Sequence, residues 1–464
     1  MTDLHRLDAV AQASLVARGE VSALDLVDAA IRRIEALDPT IRAIASVDFE
    51  AARARAAQRP EGPLGGVPFL VKDLLLYPGQ RCAFGSRLFR ANIARAGSPY
   101  TERLDAAGLI TLGKSTTSEL GMLGSTETLL EGVTRNPWDL ARSAAGSSGG
   151  AAAAVASGMV PFAHASDGGG SIRIPAAMTG LFGLKPSRRR CVSTGQPALF
   201  GLLSEHCVSR SVRDSALLLS ITEDRTGAAL PPLGYIERPI ARSLRIGYYA
   251  STLMGDTPDW EVAGALGRTA ALCADLGHEV IETPPPDIDG PTLSEGFFTL
   301  AGASIDQAGK MMAELLGRPL GPDDFEPFTL LLIEWYRGLP SGAVERAQTV
   351  FERAGRQMRA YLEGFDVVLC PTSPIAPYPI GAMAPTLDRE TLVRRTEKLA
   401  GYTPIHNIAG VPAMSVPLFM ASAGWPIGSH FAAGVGQEAT LLGLAYQLEE
   451  AAPWRDRWPA IALD

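Results

Sequence analysis

The sequence predicts an α/β protein, in which helices cover both faces of a mixed, mostly parallel twisted β-sheet of many strands. Short apolar runs bounded by glycine, proline or polar clusters have the length and composition of buried strands. Stretches with helical spacing lie between these runs, and such alternation places helices against both faces of a sheet. The chain has 464 residues, 46% of them hydrophobic, so it can bury a large core. We expect a single domain over residues 1–464.

The first predicted element is an amphipathic helix from Ser22 to about Leu37, which packs outside the sheet. Ser22 and Asp25 form a capping box at its start, and Asp38 with Pro39 is expected to end it. Its apolar stripe consists of Leu24, Val27, Ile31 and Ile34. The alanine-rich run 151–156 is predicted to be a closely packed helix. The predicted strands are Val67–Val71, Leu109–Leu112, Val160–Ala165, Leu244–Tyr249, Glu279–Glu282, Val367–Cys370 and Ala413–Val416.

Composition argues against several classes of function. The formal net charge is −8 and no basic stripe is present, so we expect no nucleic-acid partner. The polar N-terminal residues and the lack of a long apolar run predict neither a signal peptide nor a membrane anchor. The five cysteines are scattered without a C-x-x-C pair, which is typical of free thiols in the cytoplasm. The six histidines lack metal-binding spacing, so no metal or other cofactor is expected.

Two serines lie inside glycine clusters. Ser171 follows Gly168, Gly169 and Gly170, whose backbone N–H groups can converge on a negative oxygen, because glycine adopts positive φ without strain. Such an oxyanion hole, formed by Gly168 to Ser171, suits the attack of a serine on an amide or ester carbonyl. The second cluster is GSSGG, with Gly146, Ser147 and Ser148.

A serine hydroxyl needs a base to become a nucleophile, and no histidine is placed for that role. Lys72 ends the apolar run VPFLVK, and burial would favour the neutral form of a lysine. The pattern therefore predicts an enzyme with a serine nucleophile.

Lys72, then GSSGG at Gly146–Gly150, then DGGGSIRIP at Asp167–Pro175, resemble in this order the signature of the amidase signature family. The likeness covers most of the chain, and the segment 285–365 is the least similar part. Further matching runs are Thr134–Leu140, Gly183–Pro186, Ser209–Asp214 and Tyr402–Gly428. Within the family, the chain looks most similar to hydrolases of nylon-type oligomers (6-aminohexanoate cyclic dimer) and to aryl acylamidases, partly through Gly317–Thr329.

The resemblance implies a role for each motif residue within a catalytic region over residues 60–215. It assigns Ser171 as the nucleophile, Lys72 as the ultimate base, and Ser147 as the hydroxyl that relays the proton between them. It implies a cis peptide bond between Gly146 and Ser147. It further suggests that Asp167 and Arg173 hold the serine loops by hydrogen bonds, with Gly146 and Ser148 as further supporting residues.

Two positions depart from the usual family pattern. Ala145 stands where the family usually has glycine, and Gly168 occupies the variable position of D-x-G-G-S. Neither change removes a catalytic atom, although Gly168 is expected to loosen the oxyanion loop.

Two further motifs suggest other classes of protein. Gly108–Ser115 satisfies the P-loop pattern of nucleotide-binding proteins, but its four variable residues are apolar and are typical of a strand. Gly146–Gly150 also fits G-x-S-x-G, which would make Ser148 the nucleophile of an α/β-hydrolase elbow. An elbow needs a buried strand before it, whereas residues 136–143 look rich in turns.

The substrate is the least determined part of the prediction. Small apolar or aryl amides and nylon-like oligomers are the first expectation, and carbamates, which offer the same carbonyl, are the second. A third alternative is the glutaminase subunit of a tRNA-dependent amidotransferase. We expect a monomer or homodimer with a small-molecule substrate. Segment 285–365 is expected to cover the pocket, with two or three of its aromatic residues lining it; these are Phe297, Phe298, Phe325, Phe328, Trp335 and Tyr336.

Overall fold

The computed structural model describes residues 3–196 and 200–463. Its strands are β1 (Ile44–Val47), β2 (Pro68–Lys72), β3 (Ile110–Ser115), β4 (Glu127–Thr128), β5 (Gly132–Val133), β6 (Arg135–Asn136), β7 (Asp139–Ser143), β8 (Phe162–Asp167), β9 (Phe182–Lys185), β10 (Ser204–Ser209), β11 (Arg245–Tyr248), β12 (Glu279–Glu282), β13 (Val367–Pro371), β14 (Ala413–Met420) and β15 (Pro426–Ala432). Its α-helices are α1 (Ala9–Ala17), α2 (Ala23–Ile41), α3 (Phe49–Ala57), α4 (Pro99–Ala106), α5 (Gly149–Ala156), α6 (Arg173–Thr179), α7 (Val212–Thr222), α8 (Trp260–Asp275), α9 (Gly290–Leu316), α10 (Pro327–Arg337), α11 (Ala343–Leu362), α12 (Arg389–Leu399), α13 (Pro404–Ala409) and α14 (Glu438–Ala451).

The large sheet has eight strands in the order β12-β11-β13-β15-β14-β9-β10-β8. Strand β11 pairs in parallel with β12 and β13, while the remaining neighbours pair antiparallel. The predicted mixed sheet is confirmed, but the expectation that it is mostly parallel is wrong. The β14–β15 turn is too short for a crossover, and a parallel pair requires one.

A smaller sheet carries the predicted lysine. It has the order β1-β3-β2, with β2 parallel to β3 and β1 antiparallel to it. Strand β2 lies beside β8, which ends the large sheet. The end of β2 therefore adjoins the end of β8, where the glycine cluster before Ser171 begins.

Helices cover both faces of the large sheet, as predicted. On β13, Val367 and Leu369 pack in one hydrophobic cluster with residues of α7, α8 and α14. Val368 and Cys370 alternate with them and pack in another cluster with residues of α9, α11 and α13. Because successive strand residues point to opposite faces, these two clusters lie on opposite sides of the sheet. Within the described residues, no helix combines the length and apolar composition needed to cross a membrane.

Helix α2 confirms the predicted start of the first helix but not its end. The capping box of Ser22 and Asp25 is present. The helix continues through Pro39 to Ile41, so the expectation that Pro39 ends it is wrong. Proline in the last turn removes one helical hydrogen bond, and the Asp38 side chain accepts hydrogen bonds from the next backbone N–H groups instead. Leu24, assigned to the apolar stripe, is 39% exposed.

The alanine-rich run confirms the prediction of a closely packed helix. It forms most of α5, and every residue of that helix is buried. The core cluster around α5 contains residues of α2, β2 and β3. Helix α5 thus fixes the segment that follows Ser147 against the lysine-bearing sheet.

Candidate active site

Lys72 is the last residue of β2 and is fully buried. Its Nζ lies 2.8 Å from Ser147 Oγ and 3.1 Å from Ser166 Oγ. Burial lowers the pKa of Lys72 from 10.5 to about 7, although Glu205 and Asp167 act in the opposite direction. A substantial share of Lys72 is therefore neutral near pH 7.

Ser147 lies in the turn before α5. The peptide bond between Gly146 and Ser147 is cis, as the resemblance implies. Gly146 cannot be replaced without movement, because an added Cβ would come within 2.4 Å of the Ser125 carbonyl oxygen. Ser147 thus lies in a tightly packed turn, within hydrogen-bonding distance of Lys72.

The loop after β8 is organised by Asp167. Its carboxylate accepts hydrogen bonds from the N–H groups of Gly170, at 2.7 Å, and Ile172, at 3.1 Å. Gly170 has φ of 135°, a conformation that favours glycine. Because the Gly170 N–H is bonded to Asp167, the expected oxyanion donors reduce to Gly168, Gly169 and Ser171.

Arg173 and Asp167 form a fully buried, bidentate ion pair. The two contacts, from Arg173 Nε and Nη2, are each 2.9 Å long. Burial alone would raise the pKa of Asp167, but the guanidinium of Arg173, together with Lys185 and Asn407, holds it well below its ordinary value. Asp167 is therefore ionised and can order the loop, as expected for supporting residues.

Two residues of the C-terminal part, to which the sequence motifs assign no role, complete this network. Asn407 Oδ1 accepts from Arg173 Nη2 at 2.7 Å, and Asn407 Nδ2 donates to Asp167 Oδ1 at 2.9 Å. Thr403 Oγ1 donates to the Gly169 carbonyl at 2.7 Å. Both lie in the matching run Tyr402–Gly428, which was the available signal, but they lie outside the region 60–215.

A cavity of about 400 Å³ opens beside these loops. Ser147, Ser171 and the three glycines before Ser171 line one side of it. The rest of the lining is mainly apolar, with Leu74, Leu203, Leu293, Phe297, Phe298 and Ile405 among its residues. The cavity thus brings both predicted serines to one space that suits an apolar ligand.

Two of the six aromatic residues considered for the pocket line this cavity. They are Phe297 and Phe298, both on α9. Phe325 and Phe328 are instead buried in the core, and Trp335 packs at the edge of the same cluster. Tyr336 packs against Gly302 of α9 and is absent from the lining.

The two competing motifs have other places in the fold. Lys114, in the P-loop-like run, is buried on β3 and donates to the Leu75 carbonyl. Ser148 is fully buried, lies outside the cavity lining and donates to the Ser166 carbonyl at 3.2 Å. A strand, β7, does precede it, contrary to the expected turn-rich segment, but β7 belongs to a separate two-stranded hairpin. Neither a phosphate-binding loop nor a nucleophile elbow is formed.

In the part of the chain that the structure describes, no group of His, Cys, Asp and Glu side chains is arranged to hold a metal ion. The lining of the cavity includes two carboxylates, Glu205 and Glu397. They belong to β10 and to α12, respectively.

Comparison with protein families gives a match to the amidase family over residues 25–442. The chain belongs to the amidase signature family. It is 35% identical to the 6-aminohexanoate-cyclic-dimer hydrolase of Pseudomonas sp. (strain NK87), with 98% of this chain and 96% of the relative covered.

Solved structures agree with this assignment. The structure of a 6-aminohexanoate cyclic dimer hydrolase complexed with substrate matches with a TM-score of 0.93, at 33% identity, over 99% of this chain and 100% of the other. A bacterial aryl acylamidase of the amidase signature family matches with a TM-score of 0.89, at 26% identity, over 99% of both chains. The predicted family and both predicted groups of relatives are confirmed. This amidase is a hydrolase that cleaves amides.

Proposed function

We propose that this amidase cleaves a C–N amide bond through a covalent acyl group on Ser171, with Ser147 and Lys72 completing a Ser-Ser-Lys triad. The observation that carries the proposal is the 2.8 Å contact between the buried Lys72 Nζ and Ser147 Oγ, beside a glycine loop that ends in Ser171. Neutral Lys72 is the base that can take up the proton that the serine hydroxyls must release.

The reaction begins when Ser171 Oγ attacks the amide carbonyl carbon. The Ser171 proton passes to Ser147 Oγ as the Ser147 proton passes to Lys72 Nζ. The carbonyl oxygen becomes an oxyanion, which the N–H groups of Gly168, Gly169 and Ser171 stabilise. Collapse of the tetrahedral intermediate breaks the C–N bond, and the proton returns through Ser147 to the leaving amine. Water then attacks the ester carbonyl and releases the acyl group as a carboxylic acid.

Small apolar or aryl amides and nylon-like oligomers are the substrate class that we propose. The apolar part of the cavity lining, with Phe297 and Phe298, supports this choice, because burying the apolar groups of a substrate against it is favourable. The names of the relatives, a cyclic-dimer hydrolase and an aryl acylamidase, agree with it. An apolar wall gives no comparable gain to glutamine, the substrate of a glutaminase subunit.

The nucleophile is tested with a fluorophosphonate probe and peptide mass spectrometry. The probe should add once to the native chain, on the peptide that contains Ser171, and Ser171→Ala should abolish labelling. Ser148→Ala is the matched control and should leave labelling intact, because Ser148 is a fully buried serine next to Ser147 that lies outside the cavity lining. Labelling of Ser148 would overturn the assignment.

The substrate class is tested by a panel of anilides, aliphatic amides, nylon oligomers, aryl carbamates and glutamine. We expect the isolated chain to turn over amides with apolar or aryl groups. Preference for the carbamates would make it a urethane hydrolase, and glutamine turnover that requires a partner would make it an amidotransferase subunit.

We also place the protein in the cytoplasm, because its five cysteines are free thiols.

A further inference from the structure

His164 connects the main chain of Lys72 to a carboxylate. It is fully buried on β8, and its Nδ1 accepts the backbone N–H of Lys72 at 3.3 Å. Its other ring nitrogen, Nε2, lies 3.0 Å from Glu205 Oε2. Because Nδ1 acts as an acceptor, the ring proton is on Nε2 and is donated to Glu205. Burial, despite the opposing effect of Glu205, lowers the pKa of His164, which agrees with a neutral ring.

The pairing of β10 with β8 places Glu205 at this position. Glu205 lies opposite Ser166 in the antiparallel register, and Ser166 Oγ contacts Lys72 Nζ at 3.1 Å. Strand β8 therefore contacts the backbone of Lys72 through His164 and its side-chain nitrogen through Ser166, and β10 supplies Glu205. Glu205 also lines the cavity, with its side chain 12% exposed.

Two carboxylates act on the charge of Lys72. Glu205, on β10, has the larger effect, and Asp167, on β8, the smaller; both favour the protonated lysine. The negative charge of Asp167 is compensated by the positive charge of Arg173 in their ion pair. Glu205 is hydrogen-bonded to His164, which is neutral and therefore does not compensate its charge. Besides Lys72, Lys114 is the cation that acts on the pKa of His164. The negative charge of Glu205 is therefore less compensated by its partner than that of Asp167, and it has the larger effect on Lys72.

We propose that Glu205 is a positioning residue for Lys72: through His164 it fixes the lysine beside Ser147, and its charge sets how readily the lysine releases its proton. The inference rests on the proposed triad, in which Lys72 must be neutral to accept a proton. It assigns a role in the reaction to a residue whose side chain lies outside the triad and the oxyanion loop.

Two variants separate the effect of the charge of Glu205 from the effect of the length of its side chain. Glu205→Gln keeps an oxygen that can accept from His164 but removes the charge, so Lys72 should lose its proton more easily. In the pH–rate profile on an anilide, kcat/KM should rise with pH as Lys72 loses its proton; this rise is the acidic limb. In Glu205→Gln the acidic limb should move to lower pH by about 0.5 to 1 pH unit. Glu205→Asp keeps the charge but is one methylene shorter, so kcat should fall while the limb stays near its wild-type position. If one variant does not fold, the other still decides.

Glu127→Gln is the matched control. Glu127 is a buried carboxylate that accepts one hydrogen bond, from the backbone N–H of Gly381, and it lies outside the cavity lining. Its variant should leave the limb unchanged.

Folded Glu205 variants with a wild-type limb and a wild-type kcat would overturn the inference. Lys72→Ala distinguishes this failure from failure of the triad. If Lys72→Ala removes the limb but Glu205→Gln does not move it, only the role of Glu205 is wrong. If Lys72→Ala keeps the limb and the amide turnover, the proposed triad itself is wrong.

Discussion

Lys72 is the residue on which the chemistry of the site depends. Its side chain is fully buried and its Nζ is held by two hydroxyl groups, those of Ser147 and Ser166. Burial favours the neutral amine, and the hydroxyl of Ser147 gives that amine a proton to accept. A lysine on the surface would remain protonated and could not act as a base at neutral pH.

The first prediction concerns the pH dependence of amide hydrolysis. Because the base must be neutral and the pKa of Lys72 is about 7, kcat/KM should rise with pH through about 7 and then level off. Lys72→Ala should remove this limb and most amide turnover, while activated esters lose less, since their leaving groups need little protonation.

The measurement is a pH–rate profile on a matched amide and ester pair. Lys114→Met is the control, because Lys114 is also buried, its pKa is also lowered by burial, and it lies outside the cavity lining. Near-normal amide turnover by folded Lys72→Ala would contradict the triad.

The second prediction concerns the ion pair of Arg173 with Asp167. Arg173→Lys cannot reproduce the bidentate contact or the bond to Asn407, which leaves Asp167 incompletely paired in the core. We expect a loss of about 3 kcal/mol in the free energy of unfolding, measured with urea. A large fall in kcat should accompany it, because Asp167 orders the loop of Ser171.

Arg190→Lys is the matched control for that variant. Arg190 is a similarly buried arginine, paired with Glu223 and Glu438 and absent from the cavity lining. It should lose stability but keep the kcat of the wild type. Equal kcat in the two folded variants would show that the Asp167 network has no specific effect on the reaction.

At the scale of elements, α9 forms the wall opposite the glycine loop. An added Cβ on Gly169 would come within 3.3 Å of the Phe297 ring, so that ring lies directly over the loop. Phe298 is the next residue and also lines the cavity, while α10 packs behind α9 with Phe328 in the core. Helix α9 therefore contributes to the shape of the space that the acyl or amine group would occupy.

The third prediction uses this difference between two phenylalanines. Phe297→Ala should change the ratio of kcat/KM between bulky and small amides, because it enlarges the cavity beside the reacting carbonyl. Phe328→Ala should instead cost about 3 to 5 kcal/mol of stability with little change in that ratio, since Phe328 is 1% exposed in the core. Competition between two substrates in one assay measures the ratio. An unchanged ratio in Phe297→Ala would remove α9 from substrate selection.

At the scale of the whole molecule, the site combines segments that are far apart in the chain. Lys72 comes from the smaller sheet, the Ser171 loop from the edge of the large sheet, and Asn407 from α13 near the C-terminus. Fully buried Lys72 and Lys185 each have a pKa lowered by burial to about 7. Keeping such groups in the core costs folding free energy.

The fourth prediction follows from that cost. Below about pH 7, Lys72 is protonated in both states and the folded chain bears the full penalty of burying its charge. Between about 7 and 10.5 only the unfolded chain keeps the proton, so the contribution of Lys72 to stability becomes less unfavourable as pH rises. Lys72→Met should therefore be more stable than the wild type at pH 6. The expected difference in the free energy of unfolding is a few kcal/mol, because each unit by which the pKa is lowered corresponds to about 1.4 kcal/mol.

The difference between Lys72→Met and the wild type should shrink as the pH approaches 10. Urea unfolding of both proteins at pH 6, 8 and 10 measures it. A difference that does not change with pH would mean that Lys72 keeps an ordinary pKa in the folded protein.

The sequence by itself determined the features that depend on residues close together in the chain. The apolar run before Lys72 predicted a buried strand, and β2 is fully buried. The alanine run predicted α5, and the capping box predicted the start of α2. These features follow local rules of burial and capping, so a short window of sequence contains the necessary information. The family was predicted from the order of motifs along the chain, which can likewise be seen in the sequence without the fold.

The tertiary structure alone decided how these elements meet. Strand β15 was not predicted, because proline, glycine and histidine interrupt its apolar pattern, yet it pairs with both β13 and β14 in the centre of the sheet. Asn407 reaches Asp167, and Glu205 reaches His164, only after distant strands and helices have packed. Strand pairing and hydrogen bonds between distant residues gain their energy from partners that no local pattern specifies. The motifs could therefore name the serines and the lysine, whereas the supporting network and the shape of the cavity required the fold.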